Sequence, residues 1–271
     1  MTGPALLALD FDGVLCDGLH EYFEASWRAC RRLWPAGPPA PPPGLFEAFA
    51  RLRPLVESGW EMPVLVQALL AGAPEAELAR DFSPEARLAR LGPAREAVAA
   101  ALDGERDAWI AADEAGWLAQ HRFYPGVVER LRALAGGPVR VAVVTTKEGR
   151  FARQLLRGQG VELPTRDVVG KEARRPKRAI LGEICARERL APAALWFVED
   201  RLAALREVAA DPALAGARLF LAAWGYNTPA DREAARRDAR IGLLTLARFA
   251  GPFAAWLAEP PTSSAATSSP A

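Results

Sequence analysis

Three short apolar runs, each ending at polar residues, constrain the fold of this chain most strongly. They are Ala5 to Leu9 before Asp10, Val139 to Val144 before Thr145, and Leu195 to Val198 before Glu199. Runs of this length, interrupted only by Arg140, are typical of buried parallel strands. Helical patterns follow them, at about Gly149 to Leu156, Lys177 to Arg189 and Leu202 to Ala209. This alternation predicts an α/β fold with a doubly wound parallel sheet, a Rossmann-like core.

A long stretch between the first two predicted strands has no comparable β pattern. It predicts helices instead: one over about Tyr22 to Trp34, stopped by the Pro-rich segment Pro35 to Pro43, and another beginning at Ser83-Pro84-Glu85. We therefore expect an inserted helical cap domain over residues 17–121, with the core domain formed by residues 1–16 and 122–258. Pro260 to Ala271 contain only Pro, Ser, Thr and Ala, so we expect a disordered tail over 259–271.

Composition predicts a soluble globular protein without a strongly charged surface for binding a partner. Hydrophobic residues make up 51% and charged residues 25%, and the formal net charge is +1. That balance gives no reason to expect a nucleic acid or a membrane as partner. The three scattered cysteines, together with an amino-terminal region that lacks a secretory signal pattern, favour a reducing, cytoplasmic location.

Polar residues at the carboxyl ends of parallel strands are where α/β sheets bind ligands. Asp10 and Asp12 follow the first predicted strand, Thr145 the second, and Glu199 and Asp200 the third. Taken singly, each is an ordinary turn or capping residue. Only three of the 34 basic residues are lysines, namely Lys147, Lys171 and Lys177. A GC-rich genome that favours Arg codons is one explanation for the scarcity of Lys; the alternative is that a compact ammonium group is needed in this window.

Taken together and in order, these residues resemble the four motifs of the haloacid dehalogenase (HAD) superfamily. Asp10-Phe11-Asp12-Gly13-Val14 matches the DxDG(V/T) signature, Thr145 the second motif, Lys177 the third, and Glu199-Asp200 the fourth. The segment Phe123 to Val127 resembles the return from cap to core. The resemblance covers residues 5 to 250 and implies the phosphoglycolate phosphatase-like subfamily, whose helical cap lies between motifs one and two. For the third motif, Lys171 is the alternative to Lys177.

The chemistry of a phosphate ester explains why these residue types would occur together. The ester is an anion, so its site needs a carboxylate to attack phosphorus and positive charge to offset the repulsion. Asp10 would attack, and Asp12 would protonate the leaving alcohol and then activate water. Thr145 and the backbone amides near Gly13 and Thr146 would bind phosphoryl oxygens, while Lys177 would compensate charge.

An all-oxygen ligand set suits Mg²⁺ as the cofactor. The expected ligands are Asp10, Asp200, Glu199 either directly or through water, and the backbone carbonyl of Asp12. In the cap, Arg53 is a candidate contact for a second anionic group of the substrate. A solvated surface position for Arg51 and Arg53 is the alternative.

The sequence therefore predicts a magnesium-dependent phosphatase that hydrolyses a small phosphorylated metabolite through an aspartyl-phosphate. A phosphomutase or phosphotransferase would share every core residue, and a haloacid dehalogenase would share the strand-end nucleophile but would need neither a metal nor Asp12. Receiver domains also combine Asp, Thr, Lys and Mg²⁺, but their phosphorylated Asp follows a later strand. A catalytically dead phosphate-binding protein is the non-enzyme alternative. The substrate and the oligomeric state stay open.

Overall fold

The computed structural model describes residues 3–257, which fold as a parallel sheet flanked by helices, with a helical insertion. The strands are β1 (Leu6–Leu9), β2 (Cys16–Asp17), β3 (Arg122–Phe123), β4 (Arg140–Val144), β5 (Val168–Val169), β6 (Leu195–Glu199), β7 (Arg218–Ala222) and β8 (Ile241–Leu244). The helices are α1 (Leu19–Leu33), α2 (Leu45–Leu52), α3 (Glu61–Leu70), α4 (Glu75–Arg80), α5 (Pro84–Leu91), α6 (Arg95–Leu118), α7 (Val127–Leu134), α8 (Gly149–Gly158), α9 (Lys177–Glu188), α10 (Leu202–Ala209), α11 (Pro229–Arg237), α12 (Leu246–Ala250) and α13 (Phe253–Trp256). The expected tail, 259–271, lies outside the described residues.

The main sheet has the strand order β5-β4-β1-β6-β7-β8, and all five of its strand pairs are parallel. Strand β1 is central, because it pairs with β4 on one side and with β6 on the other. In the register, Leu9 lies opposite both Val143 and Val198. The residues that follow these three strands are therefore neighbours at one edge of the sheet, where the strand order reverses.

Each face of the sheet is covered by its own layer of helices. Leu7 and Leu9 of β1 pack with α7, α8, α12 and α13, whereas Leu6 and Ala8 pack with α9, α10 and α11. This alternation follows from the two-residue period of a strand, and a strand buried on both faces must be apolar throughout. The predicted α/β class and doubly wound sheet are confirmed.

Two strands of the sheet were not predicted from the sequence. Strand β5 has only two residues, and β8 is a four-residue edge strand that contains Gly242. Neither is long or apolar enough to stand out from the surrounding pattern. The other four agree with the sequence to within one residue at each end: the three apolar runs described above match β1, β4 and β6, and a further β-like run in the sequence, Leu219 to Ala223, matches β7.

The stretch between β2 and β3 is helical and has a core of its own. Helices α1 to α6 pack around residues such as Phe49, Leu65 and Trp60, and the described residue from outside the insertion that joins this core is Tyr226. Strands β2 and β3 pair antiparallel, so they form the two-stranded connection between the insertion and the sheet. The bounds 1–16 with 122–258 for the core and 17–121 for the cap remain our proposal. Within residues 3–257, every helix is too short or too polar to cross a membrane.

Candidate active site

The carboxyl edge of the sheet brings together side chains from the ends of strands β1 and β6 and from the start of helix α9. Asp10 follows β1, Glu199 ends β6, and Lys177 is the first residue of α9. The Lys177 ammonium lies 2.9 Å from Asp10 Oδ1 and donates to Glu199 Oε2 at 2.6 Å. The three side chains are almost fully buried, with Lys177 the most exposed at 13%.

Burial perturbs the acid–base behaviour of all the carboxylates in this cluster. Burial, followed by the charge of Glu199, raises the pKa of Asp10 to about 7, although Lys177 opposes the shift. Burial also raises the pKa of Glu199 and of Asp200, and neighbouring carboxylates add to both shifts. For Lys177, the attraction of Asp10 and Glu199 outweighs the effect of burial and raises its pKa. One ammonium group is therefore too little positive charge for this cluster.

A divalent cation fits the residues that are present. Asp10, Glu199 and Asp200 each offer one carboxylate oxygen, and these three oxygens lie within 4.8 Å of one another. Asp10 Oδ1 is buried, and the Lys177 ammonium at 2.9 Å contacts it from one side. A buried oxygen with free lone pairs, among excess carboxylates, is a suitable ligand for a hard cation such as Mg²⁺.

Gly13 leaves room for the Asp200 carboxylate because it has no side chain. It has a positive φ of 82°, and a Cβ at this position would lie 2.1 Å from Asp200 Oδ2. Its amide donates to the Cys16 carbonyl at 2.9 Å, and Gly13 does not line the cavity. The Gly13 amide, which the sequence analysis expected near the phosphoryl oxygens, therefore hydrogen-bonds within its own turn. The absence of a side chain at Gly13 allows the Asp200 carboxylate to approach the backbone closely.

Asp12 points to a different part of the site and is paired with Lys147. The Lys147 ammonium donates to Asp12 Oδ1 at 3.2 Å, and its side chain is only 8% exposed. The same ammonium lies 5.4 Å from the centre of the Tyr22 ring, in helix α1. Burial and the neighbouring Asp12 raise the pKa of Tyr22, so its hydroxyl stays protonated. The Asp12 carboxylate is thus separate from the group of three that could bind a metal.

Sequence reasoning assigned no role to Lys147, although two signals pointed to it. It directly follows Thr145 and Thr146, and it is one of only three lysines. Its backbone amide donates to Thr145 Oγ1 at 3.1 Å, which leaves the hydroxyl hydrogen of this buried Thr for another acceptor. Thr146 is exposed and lines the cavity.

A cavity of about 460 Å³ lies between the sheet edge and the helical insertion. Asp10, Asp12, Thr146, Lys147, Lys177, Glu199 and Asp200 line it from the sheet side, and Arg53, Tyr22, Met62 and Trp117 from the insertion. Its volume falls in the usual range for small-molecule sites. All three lysines of the chain, Lys147, Lys171 and Lys177, line this cavity.

Lys171, the alternative to Lys177 for the third motif, and Arg51 of the cap pair with carboxylates other than those of Asp10 and Glu199. Lys171 pairs with Asp103 and Glu148 at 3.2 Å, and its side chain is 41% exposed. Arg51 pairs with Glu75 on the surface at 2.7 Å. Arg53, two residues later, instead lies beside the edge-to-face pair of Tyr22 and Tyr226, with its guanidinium carbon 5.1 Å and 4.6 Å from the two ring centres.

Two residues after β6 and β7 connect the insertion to the site, and neither was expected from the sequence. Arg201 donates to the carbonyl of Pro54 in the insertion at 2.6 Å and to that of Tyr226 at 3.2 Å. Tyr226 donates from its amide to Asp200 Oδ2 at 2.7 Å and from its hydroxyl to Asp17 in β2 at 2.6 Å. Tyr226 therefore links Asp200, a possible metal ligand, to strand β2, which leads into the insertion.

Comparison with known proteins identifies one family. The model of the haloacid dehalogenase-like hydrolase family matches residues 4–206, a range that includes Asp10, Thr145, Lys177 and Glu199. No curated protein matches the chain.

Several solved structures share the fold. A haloacid dehalogenase-like hydrolase from Streptococcus pneumoniae is 15% identical, with a TM-score of 0.56 over 90% of this chain and 94% of that one. A predicted phosphoglycolate phosphatase from Haemophilus somnus is 17% identical, with a TM-score of 0.56 over 84% and 88%. A haloacid dehalogenase-like hydrolase from Bacteroides fragilis is 18% identical, with a TM-score of 0.56 over 90% and 98%. At these identities the likeness shows the fold alone.

Proposed function

Because the chain belongs to the haloacid dehalogenase-like hydrolase family, we propose that it is a magnesium-dependent phosphatase that cleaves small phosphate monoesters through an aspartyl-phosphate. The observation that carries the proposal is the buried contact of Asp10 with Lys177, next to Glu199 and Asp200. The similarity of its fold to that of a predicted phosphoglycolate phosphatase agrees with this reaction class.

Asp10 is the proposed nucleophile. Its carboxylate faces the cavity from the end of the central strand, where a backbone hydrogen bond from its amide to Val198 at 2.9 Å fixes its position. Attack of a carboxylate oxygen on phosphorus forms the P–O bond to Asp10 and breaks the P–O bond to the alcohol. The ammonium of Lys177 offsets the negative charge of both partners. Thr145 and Thr146 are the proposed donors to phosphoryl oxygens.

Asp12 is the proposed acid and base. In the first step its carboxyl gives a proton to the departing alkoxide. In the second, water attacks phosphorus, the P–O bond to Asp10 breaks, and the Asp12 carboxylate takes a proton from the attacking water. This assignment is supported by the location of Asp12 in the same cavity as Asp10, yet outside the group of possible metal ligands.

Asp10, Glu199 and Asp200 are the proposed Mg²⁺ ligands, with the Asp12 backbone carbonyl as a further ligand. When bound, the ion would supply Lewis-acid stabilisation of charge on the phosphoryl group. Gly13 supports the set by leaving room for Asp200. Arg53 is the proposed substrate contact from the cap. We also propose a cytoplasmic location, with no nucleic acid or membrane as partner.

Release of inorganic phosphate from a panel of small phosphate esters tests the proposal. We expect turnover with Mg²⁺, none in excess chelator, and none for Asp10→Asn, whose melting temperature should match that of the wild type. Turnover of Asp10→Asn above about a hundredth of the wild-type rate would refute Asp10 as the nucleophile. Formation of an isomeric phosphate ester without free phosphate would indicate a phosphomutase instead.

A further inference from the structure

The Asp200 carboxylate is oriented by the short loop that follows strand β7. The Tyr226 amide donates to Asp200 Oδ2 at 2.7 Å, and the Asn227 side-chain amide donates to the Asp200 carbonyl at 3.1 Å. Gly225 packs directly against Asp200: a Cβ on this glycine would lie 2.3 Å from the Asp200 Cβ and 2.4 Å from the Gly13 carbonyl oxygen. Because no space is left between them, a displacement of this loop must also displace the Asp200 carboxylate.

The same loop holds the point at which the chain enters the insertion. The Tyr226 hydroxyl donates to Asp17 Oδ1 at 2.6 Å and accepts a hydrogen bond from the Gly18 amide at 3.1 Å. Asp17 Oδ1 also accepts the amide of Leu19, the first residue of α1, at 2.9 Å. The Tyr226 ring packs against the Tyr22 ring of α1, with their centres 6.0 Å apart. One buried side chain therefore fixes the first turn of the insertion to the loop after β7.

Arg201, the residue after Asp200, makes a second connection to the insertion. One of its terminal nitrogens donates to the Pro54 carbonyl at 2.6 Å and to the Tyr226 carbonyl at 3.2 Å. Its backbone amide donates to Glu199 Oε1 at 3.0 Å, so its backbone is bound to another of the proposed Mg²⁺ ligands. The two residues next to Asp200, one in sequence and one in space, therefore both bind the insertion.

These contacts make the orientation of Asp200 depend on the position of the insertion. If the insertion leaves the closed position, in which these contacts are formed, the hydrogen bonds to Asp17 and Pro54 must break or must pull on the residues that hold Asp200. A cation bound by the three clustered carboxylates requires a fixed Asp200. By thermodynamic reciprocity, the factor by which the closed position tightens cation binding is the factor by which the cation favours the closed position.

We infer that Tyr226 and Arg201 are positioning residues that couple Mg²⁺ binding to the position of the insertion. The closed insertion binds Mg²⁺ more tightly, and Mg²⁺ in turn orders the segments through which the insertion contacts the sheet domain. This inference rests on the proposed Mg²⁺ site. Tyr226 binds Asp200 through its backbone amide, so its hydroxyl can be removed without removing a contact to the ligand.

Tyr226→Phe tests the coupling with a change that leaves charge unaltered. It removes the hydroxyl bonded to Asp17 and Gly18 but keeps the ring and the backbone amide bonded to Asp200. We expect the Kd for Mg²⁺, measured without substrate by isothermal titration calorimetry, to rise by about fivefold or more. A Kd equal to that of the wild type would overturn the inference.

Hydrogen exchange with and without Mg²⁺ tests the reciprocal effect. The amides of Gly18 and Val56 report on the two connections, because the first donates to the Tyr226 hydroxyl and the second closes the turn Arg53–Leu55, which contains Pro54. In the wild type, saturating Mg²⁺ should slow exchange at both amides by about fivefold or more. Exchange that does not respond to Mg²⁺ at either amide would show that the two events are independent, contrary to the inference.

Arg201→Met and Arg150→Met form a matched pair of variants. Arg150 also connects the sheet domain to the insertion, through Asp107 of α6 at 3.3 Å, but its other partner is Glu148 and neither carboxylate is a proposed ligand. Arg201→Met should lose most of the Mg²⁺-dependent protection at Val56, whereas Arg150→Met should keep both this protection and the wild-type Kd. An equal loss in the two variants would overturn the assignment to Arg201.

The outcomes distinguish the coupling from the metal site on which it rests. If the wild type binds Mg²⁺ but its exchange and the Kd of Tyr226→Phe show no effect, the coupling alone is wrong. If Mg²⁺ gives no heat of binding and no rise in the Tm of the wild type, the proposed metal site fails and the inference falls with it. If Tyr226→Phe does not fold, exchange in the wild type and in Arg201→Met decides instead.

Discussion

Replacement of Lys177 by Met should destabilise the protein by about 3 kcal/mol when no divalent cation is bound. Lys177 is 13% exposed and is the cation that contacts both Asp10 and Glu199. Removing one partner of a buried ion pair costs about 3 to 5 kcal/mol. We take the lower value, because the pKa of Asp10 is about 7 even beside Lys177, which lowers it. Without Lys177 the pKa of Asp10 rises further, so this carboxyl can become protonated and relieve part of the repulsion.

Thermal unfolding at pH 8 in excess chelator measures this effect. For a chain of this size, about 3 kcal/mol corresponds to a fall in Tm of about 6 to 12 °C. Mg²⁺ should raise the Tm of Lys177→Met more than that of the wild type, because it would restore positive charge beside the carboxylates. Lys171→Met is the control: Lys171 is 41% exposed, so its ion pairs should contribute less than about 1 kcal/mol. Equal melting temperatures for the two variants would refute the assignment of Lys177 as the cation that stabilises the site.

Three further predictions concern the metal, the acid and the cap. Mg²⁺ should support turnover and Ca²⁺ should do so poorly, because its coordination is larger and looser; equal rates with both ions would contradict this. In the first turnover, Asp12→Asn should slow release of the alcohol from an alkyl phosphate far more than release of p-nitrophenol from p-nitrophenyl phosphate, because the second leaving group needs no proton; equal slowing of the two would argue against an acid role. Burial would raise the pKa of Glu21, but the ion pair with Arg106 outweighs it and lowers the pKa from 4.5 to about 2. The unfolded chain then binds the proton of Glu21 more readily than the folded chain does. The stabilisation from this ion pair is therefore present above pH 4.5 and is lost as pH falls towards 2, by about 3 kcal/mol in total. Denaturant unfolding across that pH range should show a smaller loss of stability for Glu21→Gln than for the wild type.

The sheet and the edge that carries the site were predictable because a strand buried on both faces must be apolar throughout. The first polar residue after such a run marks the carboxyl end of the strand. This signal located Asp10, Thr145 and Glu199 in the sequence. The order of the strands then brings their ends together. Short edge strands such as β5 carry too few residues for any such signal.

The contacts between cap and core could not be predicted, because they depend on how two separately packed units meet. Nothing in the local sequence of Tyr226 indicates that it binds Asp200 and stacks on Arg53. Arg51 and Arg53 are equivalent by composition, yet one pairs with Glu75 on the surface and the other lines the cavity. Only the path of the chain through the short turn at Arg53–Leu55 separates them.

The central claim is that Asp10 carries the phosphoryl group during the reaction, and chemical trapping tests it most directly. The enzyme is mixed with a phosphate ester and Mg²⁺, quenched within the first turnover, and treated with borohydride, which reduces an aspartyl-phosphate to homoserine. Mass spectrometry of the amino-terminal peptide should find homoserine at position 10 and unchanged Asp12, with no reduction in samples that lack substrate. Homoserine at another position, or none at all while phosphate is released in a burst, would contradict the account.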